Sequence, residues 1–183
     1  GNHIRECVTI HAAQGEGTET VVGDKNMFMA YVHIAHNCTV GNSCIFANLA
    51  TLAGHVHIGD RAVLGGFTGI HQFCHVGGYV MIGGMSKITK DVPPYVKIDG
   101  NPARVIGLNS VGLKRNGVPK ESLDAIRSLY KVFYRSNLNV TQAVAELERR
   151  PEASDPFVKD FLAFVRSAKR GVYKRTRESS AEI

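Results

Sequence analysis

The sequence predicts a left-handed parallel β-helix followed by a smaller α-helical region. Three observations carry this: an unbroken six-residue apolar repeat, a small residue at fixed places beside it, and a change to helical periodicity after a Pro-Pro pair. Every sixth position from Val22 to Ile88 is large and apolar (Val22, Phe28, Ile34, Val40, Phe46, Leu52, Ile58, Leu64, Ile70, Val76, Ile82 and Ile88). Ile4 and Ile10 extend this register backward across a Gly-rich loop at 12–20. The next position in each hexapeptide is usually Gly or Ala, and two positions before the apolar residue sits another small one, such as Cys38, Cys44, Ala50 or Cys74.

A period of six is neither that of a helix nor that of a plain strand; it suits a triangular coil whose three short sides each consume six residues. The apolar residue points into the prism and the small residues are expected to let the chain turn its corners. Three hexapeptides close a coil of 18 residues, and coils stack at about 4.8 Å. A chance run of strands in a sandwich would not keep twelve consecutive matches. The repeat is expected to span 1–92 and to end at Asp91-Val92-Pro93-Pro94, where the prolines forbid continued ladder pairing. Residues 93–118 read as a connecting segment and 119–170 as a helical domain, leaving 171–183 as a polar, flexible tail. In the helical domain a first helix starts at Pro119, a second covers Thr141 to Arg149, and a third runs from Asp155-Pro156 to about Arg170.

Composition bounds the function classes. The chain has 183 residues, 44% of them apolar, and a formal charge of +6, which implies an acidic partner. Its Lys and Arg gather in the last seventy or so positions without interleaved exposed aromatics, which argues against nucleic acid. The cysteines Cys7, Cys38, Cys44 and Cys74 show no CxxC spacing and read as small core residues of a reduced, cytoplasmic protein. No apolar run reaches membrane-spanning length and no leader opens the chain, so no stable membrane insertion is expected. Gly1 falls inside the repeat pattern, and coils preceding it are expected.

Residues 18 apart become neighbours on such a prism. Asn37, His55 and Phe73 form one column; His36, Gly54 and Gln72 form the column beside it; His71 occupies a slot that is small in nearly every other repeat. One edge therefore collects His33, His36, Asn37, His55, His71 and Gln72, and repeat packing does not account for that cluster. Imidazole titrates near neutrality, so a histidine on a rigid ladder suits general-base work on an alcohol. His57 and His75 form a different column and read as solvated. Three histidines also suggest zinc and a carbonic-anhydrase-like hydratase, but they lie on successive coils, where convergence at about 2.0–2.1 Å is awkward, and no metal is expected.

The segments Val32-His33-Ile34-Ala35-His36-Asn37-Cys38, Thr51-Leu52-Ala53-Gly54-His55, Ile70-His71-Gln72-Phe73, Asp91-Val92-Pro93-Pro94-Tyr95, Gly107-Leu108-Asn109 and Gly112-Leu113-Lys114-Arg115 closely resemble the UDP-N-acetylglucosamine O-acyltransferase family. The resemblance implies a homotrimer without cofactor that moves a 3-hydroxyacyl chain from acyl carrier protein to the sugar 3-hydroxyl, the first step of lipid A synthesis. It implies His36 as general base and Gly54 as the N–H donor to the oxyanion. His33, Asn37, His55, His71, Gln72, Asn109 and Arg115 become substrate-binding positions, and Gly84, lacking a side chain, admits a long acyl chain. Asn37 stands where the family commonly has Asp, Val111 replaces a Glu, and Asn116 replaces a second Arg. The His36-Asn37 pair also resembles the sister N-acyltransferase, which acylates UDP-3-O-acylglucosamine. Lys131, Arg135, Arg166, Lys169 and Arg170 offer a docking surface for acidic carrier protein.

Overall fold

A computed structural model describes residues 1–174 and shows a three-sided parallel β-solenoid with helices packed at one end. Its coils are two-residue strands at the predicted six-residue spacing, sorted onto three faces. Sheet A stacks the strands at 3–4, 27–28, 45–46, 63–64 and 81–82; sheet B those at 9–10, 33–34, 51–52, 69–70 and 87–88; sheet C those at 21–22, 39–40, 57–58 and 75–76. Pairs such as Thr39↔His57 and His33↔Thr51 confirm the 18-residue register. Each strand is too short to stand alone. Its N–H groups reach the next coil instead, as from His33 to the Ala50 carbonyl (3.1 Å) and from Thr39 to Val56 (2.9 Å).

The interior holds the predicted apolar residues from Phe28 to Ile88, whereas Val22 is half-buried and Ile4 and Ile10, predicted to extend the register, are exposed on the first coil. Phe28, Phe46, Leu64 and Ile82 line face A and Ile34, Leu52, Ile70 and Ile88 line face B, none more than 3% exposed. Phe28 and Phe46 meet edge to face at 5.1 Å. Cys38, Cys44 and Cys74 are wholly buried beneath the corners as expected, and burial pushes the Cys44 and Cys74 thiols up to about 11. Cys7, by contrast, is exposed on the first coil.

The corners are made differently from the expectation. The left-handed backbone falls on Tyr31, Asn37, Ser43, Leu49, His55, Arg61, Phe67, Phe73, Tyr79 and Met85, three residues after each inward apolar side chain, and none of these is glycine. The glycines after the apolar residue serve close stacking instead. A Cβ on Gly59 would lie 2.6 Å from the Gly78 nitrogen of the next coil.

Two irregularities in the register matter. His3↔Met27 and Thr9↔His33 are 24 residues apart, so loop 12–20 adds six residues at the edge between sheets B and C. At the other end the ladder does not stop at Pro93-Pro94. Val76 bridges to Val92 and Ile82 pairs with Ile98, each 16 residues on, so the final coil is two residues short and the prolines occupy its corner. The segment 93–118 is accordingly structural: strand 96–100 extends sheet A, strand 103–108 returns antiparallel to it, and a short helix α1 covers Ser110–Arg115.

Three further α-helices follow: α2 (Lys120–Tyr130), continued by a π-helical turn at Lys131–Arg135, α3 (Val140–Glu148) and α4 (Pro156–Ser167). Asn139 and Gln142 form a capping box at the start of α3; Asp155 caps α4, accepting from Phe157 N (2.8 Å) and from Ser122 Oγ (2.7 Å). Phe133 packs edge to face on Phe161 at 5.0 Å.

Two buried side chains fasten the helices to the solenoid. Tyr95 donates to an Asp160 carboxylate oxygen at 2.6 Å. Asp91, 1% exposed, accepts from the backbone N–H groups of His75, Lys169 and Arg170 at 2.8, 3.0 and 3.2 Å. Tyr173 N donates to the Asp91 carbonyl, so residues 171–174 belong to the folded body and not to a flexible tail; the rest of that predicted tail lies outside the described residues.

Leu52 and Tyr134 offer a contrast that checks this account of the core. Leu52→Ala should cost about 2–5 kcal/mol through lost transfer energy and a cavity. The buried Tyr134 hydroxyl has no partner among the described residues, so Tyr134→Phe should leave stability equal or about 1 kcal/mol higher. Denaturant midpoints of the two variants measure both.

Candidate functional site

The predicted histidine cluster lies along the edge between sheets B and C. His36-Asn37 connects strand 33–34 to strand 39–40, Gly54-His55 makes the same connection one coil on, and His71-Gln72-Phe73 makes it on the coil after that. The left-handed backbone at Asn37, His55 and Phe73 brings these side chains out in a column. His55 stacks on Phe73, with centroids 4.7 Å apart and planes 17° apart, and meets His36 edge on at 5.2 Å.

His36 is held in one tautomer. Its Nδ1 lies 2.8 Å from Asn37 Oδ1. Which amide atom faces the ring is settled by loop 12–20: Gln14 N donates to Asn37 Oδ1 (3.0 Å) and Asn37 Nδ2 donates to the Gln14 carbonyl (3.3 Å). The Asn37 backbone N–H in turn donates to Thr20 Oγ1 (2.9 Å). An amide oxygen accepts only, so His36 Nδ1 carries the hydrogen, and in the neutral ring Nε2 is the nitrogen with the lone pair. Asn37, expected among the substrate-binding residues, bonds through its amide to both His36 and Gln14.

The His36 ring covers Gly54. A Cβ there would lie 2.7 Å from both Cε1 and Nε2, so a side chain at position 54 is incompatible with this ring position. Among the described residues the Gly54 N–H donates to no acceptor, while its neighbours Ala53 N and His55 N bond to Ile70 and His36. The His36 ring and the Gly54 N–H thus sit side by side, as the 18-residue stacking predicts.

The other histidines are placed less uniformly. His71 is exposed and its Nδ1 donates to the Gln72 carbonyl at 3.1 Å, which leaves its Nε2 as an acceptor too. His33 lies on the outer face of sheet B against Thr9 Oγ1 (2.7 Å) and edge on to His11 (4.6 Å). Burial first, and the charge of His11 second, hold it below the ordinary imidazole range. His57 and His75 face each other at 4.5 Å on sheet C, away from this edge. Among the described residues no group of three or more His, Cys, Asp or Glu side chains comes together to hold a metal ion.

The remaining predicted residues occupy the two other edges. Asn109 is buried beyond the edge between sheets C and A, where it donates to the Tyr79 carbonyl (2.8 Å) and caps α1 through Gly112 N (3.1 Å). Arg115 is exposed at the end of that helix. Gly84 lies on the edge between sheets A and B, stacked on Gly66, whose carbonyl a Cβ at 84 would approach to 3.2 Å. One chain therefore unites His36, Asn37, Gly54, His55, His71 and Gln72 but sets Asn109, Arg115 and Gly84 apart from them.

Gln14 and Thr20 escaped the reading of the sequence. The available signal was positional: six extra residues inserted at the same edge as the histidines.

A parallel β-solenoid of hexapeptide coils carrying a histidine-rich edge defines the class of hexapeptide-repeat transferases, and residues 19–54 match the bacterial transferase hexapeptide model. Residues 91–173 match the second domain of UDP-N-acetylglucosamine O-acyltransferase. The acyl-[acyl-carrier-protein]--UDP-N-acetylglucosamine O-acyltransferase of Thermodesulfovibrio yellowstonii is 49% identical over 174 residues, 93% of this chain and 66% of that protein. The enzyme of the same name from Synechocystis is 46% identical over 91% of this chain and 60% of its own length. The solved UDP-N-acetylglucosamine acyltransferase of Campylobacter jejuni superposes with a TM-score of 0.88 at 38% identity, over 96% of this chain and 68% of that one. That of Francisella novicida gives 0.89 at 37% identity over 98% and 66%. The chain belongs to the UDP-N-acetylglucosamine O-acyltransferase family. It spans less than two thirds of the length of the curated relatives it matches.

Gly54→Ala tests the ring contact without reference to activity. The variant should fold with only a modest fall in Tm, yet a crystal structure should show the His36 imidazole moved off position 54; an unmoved ring would contradict the packing described.

Proposed function

We propose that this chain forms the catalytic edge of an acyltransferase that moves a 3-hydroxyacyl group from acyl carrier protein to the 3-hydroxyl of UDP-N-acetylglucosamine, in the cytoplasm and without a cofactor. The observation that carries this reading is the chain of bonds Gln14–Asn37–His36, which presents an unprotonated Nε2 next to an unpartnered Gly54 N–H. Nε2 takes the proton of the sugar hydroxyl as its oxygen attacks the thioester carbon. The C–O bond forms, the negative charge on the former carbonyl oxygen is met by the Gly54 N–H, and collapse breaks the C–S bond while His36 returns the proton to the departing sulfur. His33, His55, His71 and Gln72 position the sugar and the acyl group along the same edge.

A convex edge encloses no substrate, and the nucleotide-side residues Asn109 and Arg115 and the chain-length residue Gly84 lie on the two other edges. Parts spread over three edges of one prism meet only across copies, which favours a symmetric trimer with a groove at each of three junctions. An Arg at position 115 suits a nucleotide phosphate through its forked donors. The carrier protein is acidic in this reading, and the exposed Lys131, Lys169 and Arg170 offer it a surface. Arg166 is already paired with Glu148, and Arg135 turns onto the Tyr130 ring, so these two contribute less than expected from the sequence.

Incubation with 3-hydroxyacyl carrier protein and UDP-N-acetylglucosamine should give a product whose mass and alkali lability mark an ester; exclusive amide formation on an amino sugar would favour the N-acyltransferase reading that His36-Asn37 also supports. His36→Ala should lower kcat by about 10²–10⁴-fold, the range of general-base catalysis. Asn37→Asp should raise kcat, because a carboxylate stabilises the developing imidazolium better than an amide, and Asn37→Leu should lower it by freeing the tautomer; equal rates for the three would remove the role given to position 37. Raising salt from 50 to 500 mM, about a threefold shortening of the screening length, should raise KM for the carrier protein but not for the nucleotide sugar.

A further inference from the structure

Where the last coil meets the helices there is a cavity of about 1300 Å³, and its walls are strongly one-signed. The solenoid side supplies Lys87, Lys90 and Arg104; the helical side supplies Arg135 and Lys174; no Asp or Glu among the described residues lines it. None of the five cations has a carboxylate partner among the described ion pairs, which lie elsewhere at Arg5, Arg127, Arg150, Arg166 and the N-terminus. Arg135 rests over the Tyr130 ring at 6.0 Å, and Lys174 sits over Phe133 at 5.1 Å while donating to the Leu138 carbonyl. Helix α3, nine residues long, opens into the same space through Asn139 and Val140, so the positive end of its dipole adds to the field. Ile106, Leu138 and Val172 supply apolar wall between the charges.

We propose that this cavity binds a phosphorylated small molecule of the organic di- or triphosphate class. Five cations line one recess from two walls, and among the described residues none of them has a carboxylate partner. Two arginines give forked donors to phosphate oxygens, three lysines give point charges, and the apolar wall accommodates an organic remainder. The recess is larger than a common small-ligand site of about 300–1,000 Å³, with room for a ligand of nucleotide size and its water. Because the walls come from the solenoid and the helices, the ligand clamps one against the other alongside the Asp91 and Tyr95 attachments. Lys87, Thr89 and Lys90 continue the B–C edge one coil beyond His71 and Gln72, so the recess adjoins the histidine edge; its phosphate binding is measured without reference to acyl transfer.

Titration of the full chain with sodium tripolyphosphate, by calorimetry and by Tm, tests it against sodium chloride at matched ionic strength. Saturable binding with a rise in Tm is expected from the phosphate and not from chloride. The exposed pair Lys90→Ser with Arg104→Ser should weaken it by about 100-fold, roughly tenfold per charged hydrogen bond lost, while Lys131→Ser on the outer helical face leaves it unchanged. Should the double variant fail to fold, Lys87→Gln alone carries the test with a loss of about tenfold. Absence of saturable binding, equal stabilisation by chloride, or undiminished affinity in a folded variant overturns the proposal. So does the case in which tripolyphosphate fails to bind and carrier protein loses affinity in the double variant, which would make the recess a protein-docking face.

Discussion

The backbone ladder between coils is the constraint on which everything else rests. Two-residue strands make no useful structure within themselves, so each N–H must find a carbonyl 17 residues ahead on the next coil, as His33 finds Ala50 and Thr39 finds Val56. That obligation fixes the register to the residue, because a slip of one would turn Ile34 or Leu52 outward and a polar neighbour such as His33 or Thr51 inward. It also gives the outer surface its precision. His36 and Gly54 are far apart along the chain, and a ladder whose spacing is set by hydrogen bonds is what places the ring against the glycine.

Positions are given by the ladder, but chemistry at this edge depends on orientation, and that comes from the loop at 12–20. The extra six residues leave the solenoid at the B–C edge and return Gln14 and Thr20 to Asn37, which in turn orients His36. An amide beside an imidazole ordinarily leaves the ring's tautomer loosely controlled, since the amide can turn over. Here the Gln14 backbone reads both amide atoms and removes that freedom. An amide supplies the orienting contact to the ring without a carboxylate's charge.

The end of the solenoid is closed by the chain's own continuation. Shortening the last coil by two residues brings Val92 and Ile98 into register, the prolines take the corner, and the returning strand 103–108 pairs as the terminal strand of sheet A. Asp91 then holds three backbone N–H groups from the segments it joins. A buried carboxylate is tolerable only with such saturation, and the same saturation makes the junction rigid. The basic cavity opens beside this junction, between two walls whose relative placement the junction fixes.

The fold was written in the sequence because each apolar residue repeats the same local problem at the same interval, and a period of six has one economical solution in three dimensions. The histidine edge was legible for the same reason: a fixed period converts sequence distance into spatial adjacency, and His36 beside Gly54 follows from arithmetic. Where periodicity lapsed, the sequence lost its hold. Pro93-Pro94 suggested an end to pairing, yet a shift of two residues lets the ladder continue; glycines suggested the corners, yet the left-handed turns fall on Asn37, His55 and their equivalents. The tautomer of His36, the duty of Gln14, the separation of Asn109, Arg115 and Gly84 onto other edges, and the convergence of five cations all depend on contacts between segments with no common period. Only the folded chain decides those, because a side chain's partner is set by where the backbone brings it and not by its own chemistry.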